Sequence, residues 1–209
     1  RDLQTAGFRG CLRDLGTVIN TLNDPTDFPN NYARHVEGFE DVVSADLPAE
    51  ITAGGNEVVA DTDVLVIRTV DDPNLQLIAN MVTSSSDPVT VPGLDAAAPD
   101  TPAAGDIMLV TDCGGSAIFE VTDFDEGTGT IVHDAGAASP GNNSKNMVRR
   151  YTAGAQLFTL RTTTYFIRNN AAGIPGLWRR VGDGEPQELA EGVENMQVQL
   201  GIDTNDDGG

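Results

Sequence analysis

The most strand-like stretch of this sequence is QLFTLRTTTYFIR, residues 156–168. Its threonine, aromatic and aliphatic residues are typical of β-strands, and its length suits one bent strand or two shorter ones. After a loop at residues 169–176, the segment LWRRV at residues 177–181 is able to pair back on it. The pattern therefore predicts a β-hairpin in the second half of the chain.

Further strands are expected on both sides of this hairpin. The β-branched run TDVLVIRTV at residues 62–70 predicts a buried strand that ends at Asp71, Asp72 and Pro73, and residues 75–82 suit a strand or a short helix. The alternation of Met196, Val198 and Leu200 with polar residues predicts a half-buried edge strand. The remaining predicted strands lie at residues 89–91, 106–111, 117–122 and 130–133.

The first eleven residues are RDLQTAGFRGC, in which Leu3, Ala6 and Gly10 share one helical face. This block predicts the end of a helix that starts upstream of Arg1, and turn residues at 23–31 then predict a long loop. We expect an α+β fold, a truncated N-terminal helix packed on antiparallel sheet. One domain is predicted over residues 1–209, with the helix end and exit at 1–22, a loop-rich first β region at 23–104 and a second β region at 105–209.

The strongly acidic composition excludes some partners. The chain has 32 acidic residues against 12 lysines and arginines, which gives a net charge of −20. This average field repels a phosphate backbone, so no nucleic acid is expected as a partner. No apolar run approaches the roughly 18 residues that cross a bilayer.

The sequence gives almost no support for catalysis. His133 is followed by Asp134 and lies near Ser139 and Ser144, but no G-x-S-x-G motif accompanies this set. Zinc-binding and phosphate-binding motifs are absent as well. We therefore expect a protein that is not an enzyme, in which His133 is a structural residue at a strand end.

The sharpest local motif is DTNDDG at residues 203–208, which fits the first half of a calcium loop. Alternate oxygen-bearing side chains, which are Asp203, Asn205 and Asp207 in this chain, point inward in such a loop, and glycine permits its tight turn. The acidic residue expected at the twelfth loop position would come after Gly209. The motif therefore predicts either an incomplete calcium site or an acidic turn at a frayed end.

Several blocks, in order, resemble the PilW family of type IV pilus minor pilins. The blocks are RDLQTAGFRGC (residues 1–11), GDIMLVTDC (105–113), AIFEVT (117–122), YFIR (165–168), GLWRR (176–180) and ELAEGVENMQV (188–198). They touch both ends and the middle of the chain, while residues 23–86 match little.

The resemblance implies a pilin-like fold, in which Leu3 and Phe8 pack the helix on the sheet. It implies a structural subunit that helps to prime and assemble type IV pili, in a tip complex with other minor pilins, the major pilin and a tip adhesin. It also implies an anchor in the inner membrane through the upstream helix, with a periplasmic head that later becomes part of the extracellular fibre.

The two cysteines, Cys11 and Cys113, have two interpretations. In a cytosolic protein they would be unrelated thiols. The resemblance implies a periplasmic head, where a Cys11–Cys113 disulfide would persist and, in the chain-entropy model, stabilise by about 4–5 kcal/mol.

Two further interpretations of the function are open. The J-type minor pseudopilin of type II secretion shares the pilin plan. A secreted calcium-dependent binding or adhesin module would need no upstream helix and would carry an exposed aromatic platform.

Overall fold

A computed structural model describes residues 18–52, 57–94, 101–112, 114–137, 140–182, 184–199 and 201. The strands are β1 (Val18–Asn20), β2 (Val36–Phe39), β3 (Val64–Gln76), β4 (Val89–Thr90), β5 (Ile107–Asp112), β6 (Gly115–Glu120), β7 (Asp123–Asp125), β8 (Thr130–Val132), β9 (Gln156–Asn169), β10 (Pro175–Val181) and β11 (Gln187–Glu191). Within the described residues, helix is limited to α1 (Ala49–Thr52) and the 3₁₀ turns Phe28–Asn30 and Ser44–Asp46.

The α+β prediction is wrong, because the described chain is almost entirely β-structure. The sheet is also mixed and not purely antiparallel, since β1 pairs with β6 in parallel. The predicted N-terminal helix block, with Leu3 and Phe8, lies outside the described residues. Residues 18–20, predicted to belong to the exit from that helix, form β1 instead. No helix in the described parts of the chain is long and apolar enough to cross a membrane.

The chain divides into two compact units. The first takes residues from Arg1–Ala33 and Thr69–Arg161, and the second from Arg34–Arg68 and Thr162–Gly209. The long strands β3 and β9 each contribute residues to both units. The prediction of a single domain stays a prediction.

In the first unit, the central sheet follows the order β1-β6-β5-β9. β5 and β6 form a tight antiparallel hairpin, with Ile107 opposite Glu120 and Asp112 opposite Gly115. The first half of β9 pairs with the other side of β5. A second, three-stranded sheet follows the order β4-β8-β7.

Both faces of the β5–β6 hairpin are buried, which explains its nearly continuous apolar sequence. Because side chains alternate along a strand, Met108 and Phe119 enter one core while Leu109 and Ile118 enter the other. The first core extends to the small sheet through Val89 and Ile131 among others, and the second includes Leu22, Tyr32, Phe158 and Leu160.

The paired strands of the second unit belong to the larger sheet, in which β3 and β9 also pair with each other. β2 pairs antiparallel with the first residues of β3, and the second half of β9 pairs antiparallel with β10, which pairs with β11. The predicted hairpin of residues 156–168 and 177–181 is confirmed as β9 and β10, and β9 is a single strand. The buried apolar residues of this unit include Val42, Leu47, Ile51, Val58, Val64, Val66, Phe166 and Ile167.

The strand predicted at residues 62–70 is present but runs on to Gln76, through the proline that was predicted to end it. Most residues from Asp71 to Gln76 are exposed, a position in which a strand tolerates proline. Asp71 also forms an ion pair with Arg161 of β9. The alternative of a helix at residues 75–82 is wrong, and the predicted strand there is limited to the last residues of β3.

The predicted edge strand at residues 196–200 is wrong. Residues 193–199 are irregular, and the edge strand is β11, which lies upstream in a polar segment. The backbone of Met196 and Val198 is hydrogen-bonded to Asp63 and so does not follow a strand ladder.

Candidate functional site

The best-defined surface of the second unit is built on the β9–β10 hairpin. Trp178 of β10 stands opposite Phe166 of β9, and Phe166 is fully buried. The indole Nε1 of Trp178 donates a hydrogen bond to the carbonyl oxygen of Arg168 at 2.9 Å, and the Arg168 guanidinium lies 4.9 Å from the indole ring centroid. Half-buried Trp178 is therefore held by a hydrogen bond and a cation–π contact, and one side of the indole is covered by its own hairpin.

The neighbouring Arg180 is a buried cation, although two consecutive arginines in a strand ordinarily indicate solvated side chains. Its Nη1 donates to the carbonyl oxygen of Glu50 at 2.6 Å, and its Nε donates to that of Gly184 at 2.9 Å. The side chain thereby ties α1 and the turn after β10 to the same hairpin. This arrangement makes Arg180 a structural residue.

β11 is added to this hairpin at a point of very close approach. The register shifts between Leu177 and Trp178, which marks a β-bulge. A Cβ placed on Gly176 would lie 2.8 Å from the Ala190 carbonyl oxygen and 2.8 Å from Glu188 Oε1. Glycine is therefore required at residue 176 for β11 to pack where it does.

The outer side of β11 is an exposed, acidic strand edge. All five of its residues are exposed, and among the described strands β11 pairs with β10 alone. Asn170 Nδ2 donates to Glu191 at 2.9 Å and to Glu188 at 3.4 Å, so both carboxylates are held on one side of the hairpin. Charged residues of this kind suppress uncontrolled pairing of edge strands.

Asp63 fixes the irregular stretch that follows β11. Its carboxylate accepts hydrogen bonds from the backbone N–H groups of Asp41 at 3.0 Å and Val198 at 2.6 Å. Its own N–H donates to the Met196 carbonyl oxygen at 2.9 Å. A cleft of about 260 Å³ lies beside this contact, lined by Gly38, Phe39, Glu40, Asp63 and Val198.

The residues predicted to form sites lie outside the described parts of the chain. This holds for Leu3 and Phe8, for Cys11 and Cys113, and for the calcium candidates Asp203, Asn205 and Asp207. The structure therefore does not test the disulfide or the calcium loop, and both stay predictions. Among the described residues, no cluster of three or more His, Cys, Asp or Glu side chains could hold a metal ion.

His133, the best histidine for catalysis by sequence, has a structural role in the first unit. It is 2% exposed, its ring centroid lies 5.3 Å from that of Phe119, and its Nε2 is 3.0 Å from the Asp87 carbonyl oxygen. Burial lowers the pKa of His133, which keeps the ring neutral. The adjacent Asp134 pairs with Lys145 at 3.3 Å. The expectation of a structural histidine is confirmed by this geometry.

Sequence reasoning missed Asp63 and Gly176, the two residues that position β11 and the stretch after it. Asp63 lies inside the run that predicts a strand, and a buried carboxylate there has no local signature. Gly176 lies in a predicted loop, where glycine needs no special explanation. Only the register of β10 with β11 reveals why a side chain cannot be accommodated at this position.

Comparison with known protein families relates the C-terminal part of the chain to pilus assembly. Residues 164–209 match the family model of PilW, described as type IV pilus-assembly protein W. No curated protein and no solved structure matches the chain. Within the matched residues, the described part comprises the second half of β9, β10, β11 and the stretch held by Asp63. The match supports a pilus-assembly family for this part of the chain.

Proposed function

We propose that this chain is the head of a minor pilin, a structural subunit that helps to prime and assemble type IV pili. The observation that carries the proposal is the match of residues 164–209 to the type IV pilus-assembly family. The described part of the matched residues begins within β9 and contains β10 and β11, which follow in sequence and are paired in order.

The proposed partners are other minor pilins and the major pilin, with a tip adhesin at the end of the fibre. The proposed location is the inner membrane before assembly, with the head in the periplasm, and the extracellular fibre afterwards. We propose no enzymatic activity. The structural role of His133 supports this, since the histidine that the sequence made the best catalytic candidate is buried and hydrogen-bonded.

The test is a deletion of the gene in the organism that produces the protein. Loss of surface pili in electron micrographs, with recovery when the full-length gene is restored, is the expected result. Secretion of a folded exoprotein is measured in the same strains. A deletion that leaves pili intact and blocks secretion would overturn the proposal and identify a J-type minor pseudopilin of type II secretion.

A calcium role is a separate part of the proposal and rests on the spacing of Asp203, Asn205 and Asp207. Isothermal titration of the full-length protein with calcium tests it, with an Asp203→Ala/Asp207→Ala variant as the comparison. Binding that disappears in the variant supports a calcium loop. Equal heats of calcium titration in both proteins would show that this motif is an acidic turn and not a calcium site. The alternative of a calcium-dependent adhesin module would then have no basis.

A further inference from the structure

The outer edge of β11 carries backbone groups that point away from the rest of its sheet. In an antiparallel ladder, residue pairs that are hydrogen-bonded to each other alternate with pairs that are not. The N–H of Gly192 donates to the Pro175 carbonyl oxygen at 2.8 Å, so the next pair, Gly176 with Glu191, is not hydrogen-bonded. The N–H and C=O of Glu191 therefore point away from β10, and Glu191 is exposed.

The ladder on the other side of β10 gives the same alternation. In the turn of the β9–β10 hairpin, the N–H of Asn170 donates to the Ile174 carbonyl oxygen at 2.9 Å. Two pairs further along the ladder, Arg168 is therefore hydrogen-bonded to Gly176. Because Gly176 directs its backbone groups to β9, those of Glu191 have no partner on β10. Among the described strands, β11 has no second neighbour that could use them.

The fully exposed charges along this edge are all negative. Residues 185–194 contain no lysine or arginine, and their acidic side chains are exposed in every case, which are Glu185, Glu188, Glu191 and Glu194. Three arginines lie on the strands behind them, of which Arg168 and Arg179 are half-buried and Arg180 is buried. Within the described chain, none of these arginines forms an ion pair with the four glutamates. The acidic groups remain in excess when all three guanidinium groups are counted.

Two of these carboxylates are held in place by a neutral side chain. Asn170 Nδ2 donates to Glu191 at 2.9 Å and to Glu188 at 3.4 Å. Asn170 is itself fixed, because its Oδ1 accepts the backbone N–H groups of Ala172 and Ile174 at 3.0 and 3.1 Å. Side chains that are already positioned lose little conformational entropy when a partner binds them. The two carboxylates keep their charge, since an amide donor does not neutralise it.

The charge of the edge selects which strand can be added to it. If two copies of the chain paired along β11, glutamates of one copy would lie opposite or diagonal to glutamates of the other, and like charges in these positions are destabilising. The same carboxylates attract a strand that carries lysine or arginine. Leu189, the extra residue at the bulge, is 47% exposed and offers one apolar contact.

We propose that the outer edge of β11 accepts an extended, basic segment of a partner protein, which is added to the sheet as a further strand. The outward N–H and C=O of Glu191 pair with the backbone of that segment, and its lysine or arginine side chains contact Glu188 and Glu191. The net charge of −20 favours the approach of a basic partner. The inference rests on the proposed function, under which the partner is another pilus subunit.

Variants of the full-length protein separate the backbone contact from the charge. Glu191→Pro removes the outward N–H and the charge but no hydrogen bond to β10, and proline is tolerated on an edge strand at such a position. Glu191→Gln removes the charge alone. Glu188→Lys/Glu191→Lys reverses the charge, and its matched control is Asp123→Lys/Glu126→Lys, which makes the same change at two exposed acidic residues of the first unit. Circular dichroism and thermal unfolding confirm that each variant is folded.

Binding is measured by biolayer interferometry against the purified heads of the other pilus subunits of the same organism, tested one at a time. We expect the Glu188→Lys/Glu191→Lys variant and the Glu191→Pro variant each to weaken binding to one subunit by at least about tenfold. Glu191→Gln is expected to cause a smaller loss, and binding is expected to weaken at high salt. Equal affinities of the double lysine variant and its control, or no binding by the unaltered protein, would overturn the inference. Equal losses in the proline and glutamine variants would indicate a charge contact without an added strand and would also overturn it.

Hydrogen exchange, measured by NMR in the presence and absence of the bound subunit, locates the added strand. The N–H of Ala190 belongs to the hydrogen-bonded pair with Leu177 and points towards β10. We therefore expect exchange at Glu191 to slow on binding and exchange at Ala190 to stay slow throughout. Unchanged exchange at Glu191 in the complex would overturn the inference.

A second copy of the chain is tested as the occupant by sedimentation equilibrium. Self-association that the double lysine variant abolishes and its control retains would replace the basic partner by a second copy and would overturn the inference. The deletion strain separates this inference from the proposed function. Loss of pili on deletion, with full restoration by the double lysine variant, would overturn the strand-addition edge and leave the proposed function intact.

Discussion

The carboxylate of Asp63, just before β3, accepts the backbone N–H of Val198 at 2.6 Å, more than a hundred residues later in the sequence. The same carboxylate accepts the N–H of Asp41, and the side chain is only 3% exposed. A buried carboxylate with two backbone donors replaces the strand ladder that residues 193–199 lack. Asp63 therefore determines where the chain runs after β11.

Replacement of Asp63 by asparagine is expected to destabilise the protein by about 1–3 kcal/mol. Asparagine offers one acceptor in place of two, so its NH₂ group would face one of the two backbone N–H groups. Urea unfolding measures the loss, and hydrogen exchange is expected to accelerate at Val198. Asp61→Asn is the control, because Asp61 is exposed and asparagine tolerates its φ of 60°. Equal destabilisation by both substitutions would contradict this role of Asp63.

Gly176→Ala is expected to displace β11 from β10. The added Cβ would lie 2.8 Å from a backbone oxygen, which cannot move aside as a flexible side chain could. We expect a loss of about 1–3 kcal/mol and faster hydrogen exchange at Glu188 and Ala190. Gly201→Ala serves as the control, since nothing lies within 4 Å of a Cβ at that position. Unchanged hydrogen exchange in β11 would show that the protein accommodates the added Cβ beside the Ala190 carbonyl oxygen without displacing the strand.

His133 makes stability depend on pH in a definite direction. Burial lowers the pKa of His133 below its ordinary value of 6.5, so the folded protein binds this proton less readily than the unfolded chain. The stabilisation is present above about pH 6.5 and is lost as the pH falls towards the lower pKa of the folded state. Because the Asp87 carbonyl oxygen can only accept, the neutral ring carries its proton on Nε2.

Unfolding by urea at pH 7.5 and pH 5.5 tests this prediction. The His133→Gln variant is expected to be less stable than the unaltered protein at both pH values, but its free energy of unfolding is expected to fall less between pH 7.5 and pH 5.5. The His35→Gln variant is expected to show the same fall as the unaltered protein. An identical pH dependence in all three proteins would mean that other groups cause it. The comparison between variants is needed because carboxylates also titrate towards the acidic end of this range.

The sequence was a good guide where burial imposes a strong pattern. The runs at residues 106–111, 117–122 and 156–168 are apolar or β-branched because both faces of β5 and β6, and much of β9, are covered. β11 and β7 were missed because their polar residues are exposed and resemble turns. A short strand at a sheet edge forms because an adjacent strand pairs with it, so its own residues show little of the apolar or β-branched pattern that predicts a strand.

The candidate site was less predictable for a related reason. Asp63, Gly176 and Arg180 act through contacts between segments that are distant in sequence, and nothing in their local context distinguishes them. The α+β prediction relied on the helical spacing of Leu3, Ala6 and Gly10, which covers only the first residues. Spacing over two turns constrains one short segment and not the class of a 209-residue chain.

The predicted Cys11–Cys113 disulfide has a clear test. Alkylation without reductant, followed by intact mass measurement, shows whether the two thiols are free. If they are bridged, Cys11→Ser and Cys113→Ser are each expected to cost up to about 4–5 kcal/mol, and the double variant is expected to cost no more than either single one. Additive losses would indicate two independent buried thiols. Two alkylated cysteines in the native protein would rule out the bridge.

Val148→Asn is expected to stabilise the protein by about 0.5–1.5 kcal/mol. Residues held in the left-handed region cost roughly 1–3 kcal/mol when they are neither glycine nor asparagine, and this cost is greatest for β-branched side chains. Val148 is exposed, so its removal sacrifices little apolar burial.

The reverse substitution provides the matched comparison, because Asn74 is also exposed and has a φ of 57°. Asn74→Val is expected to destabilise by a similar amount, and both changes are measured as shifts in the urea midpoint. A destabilised Val148→Asn protein would mean that the valine side chain supports the fold.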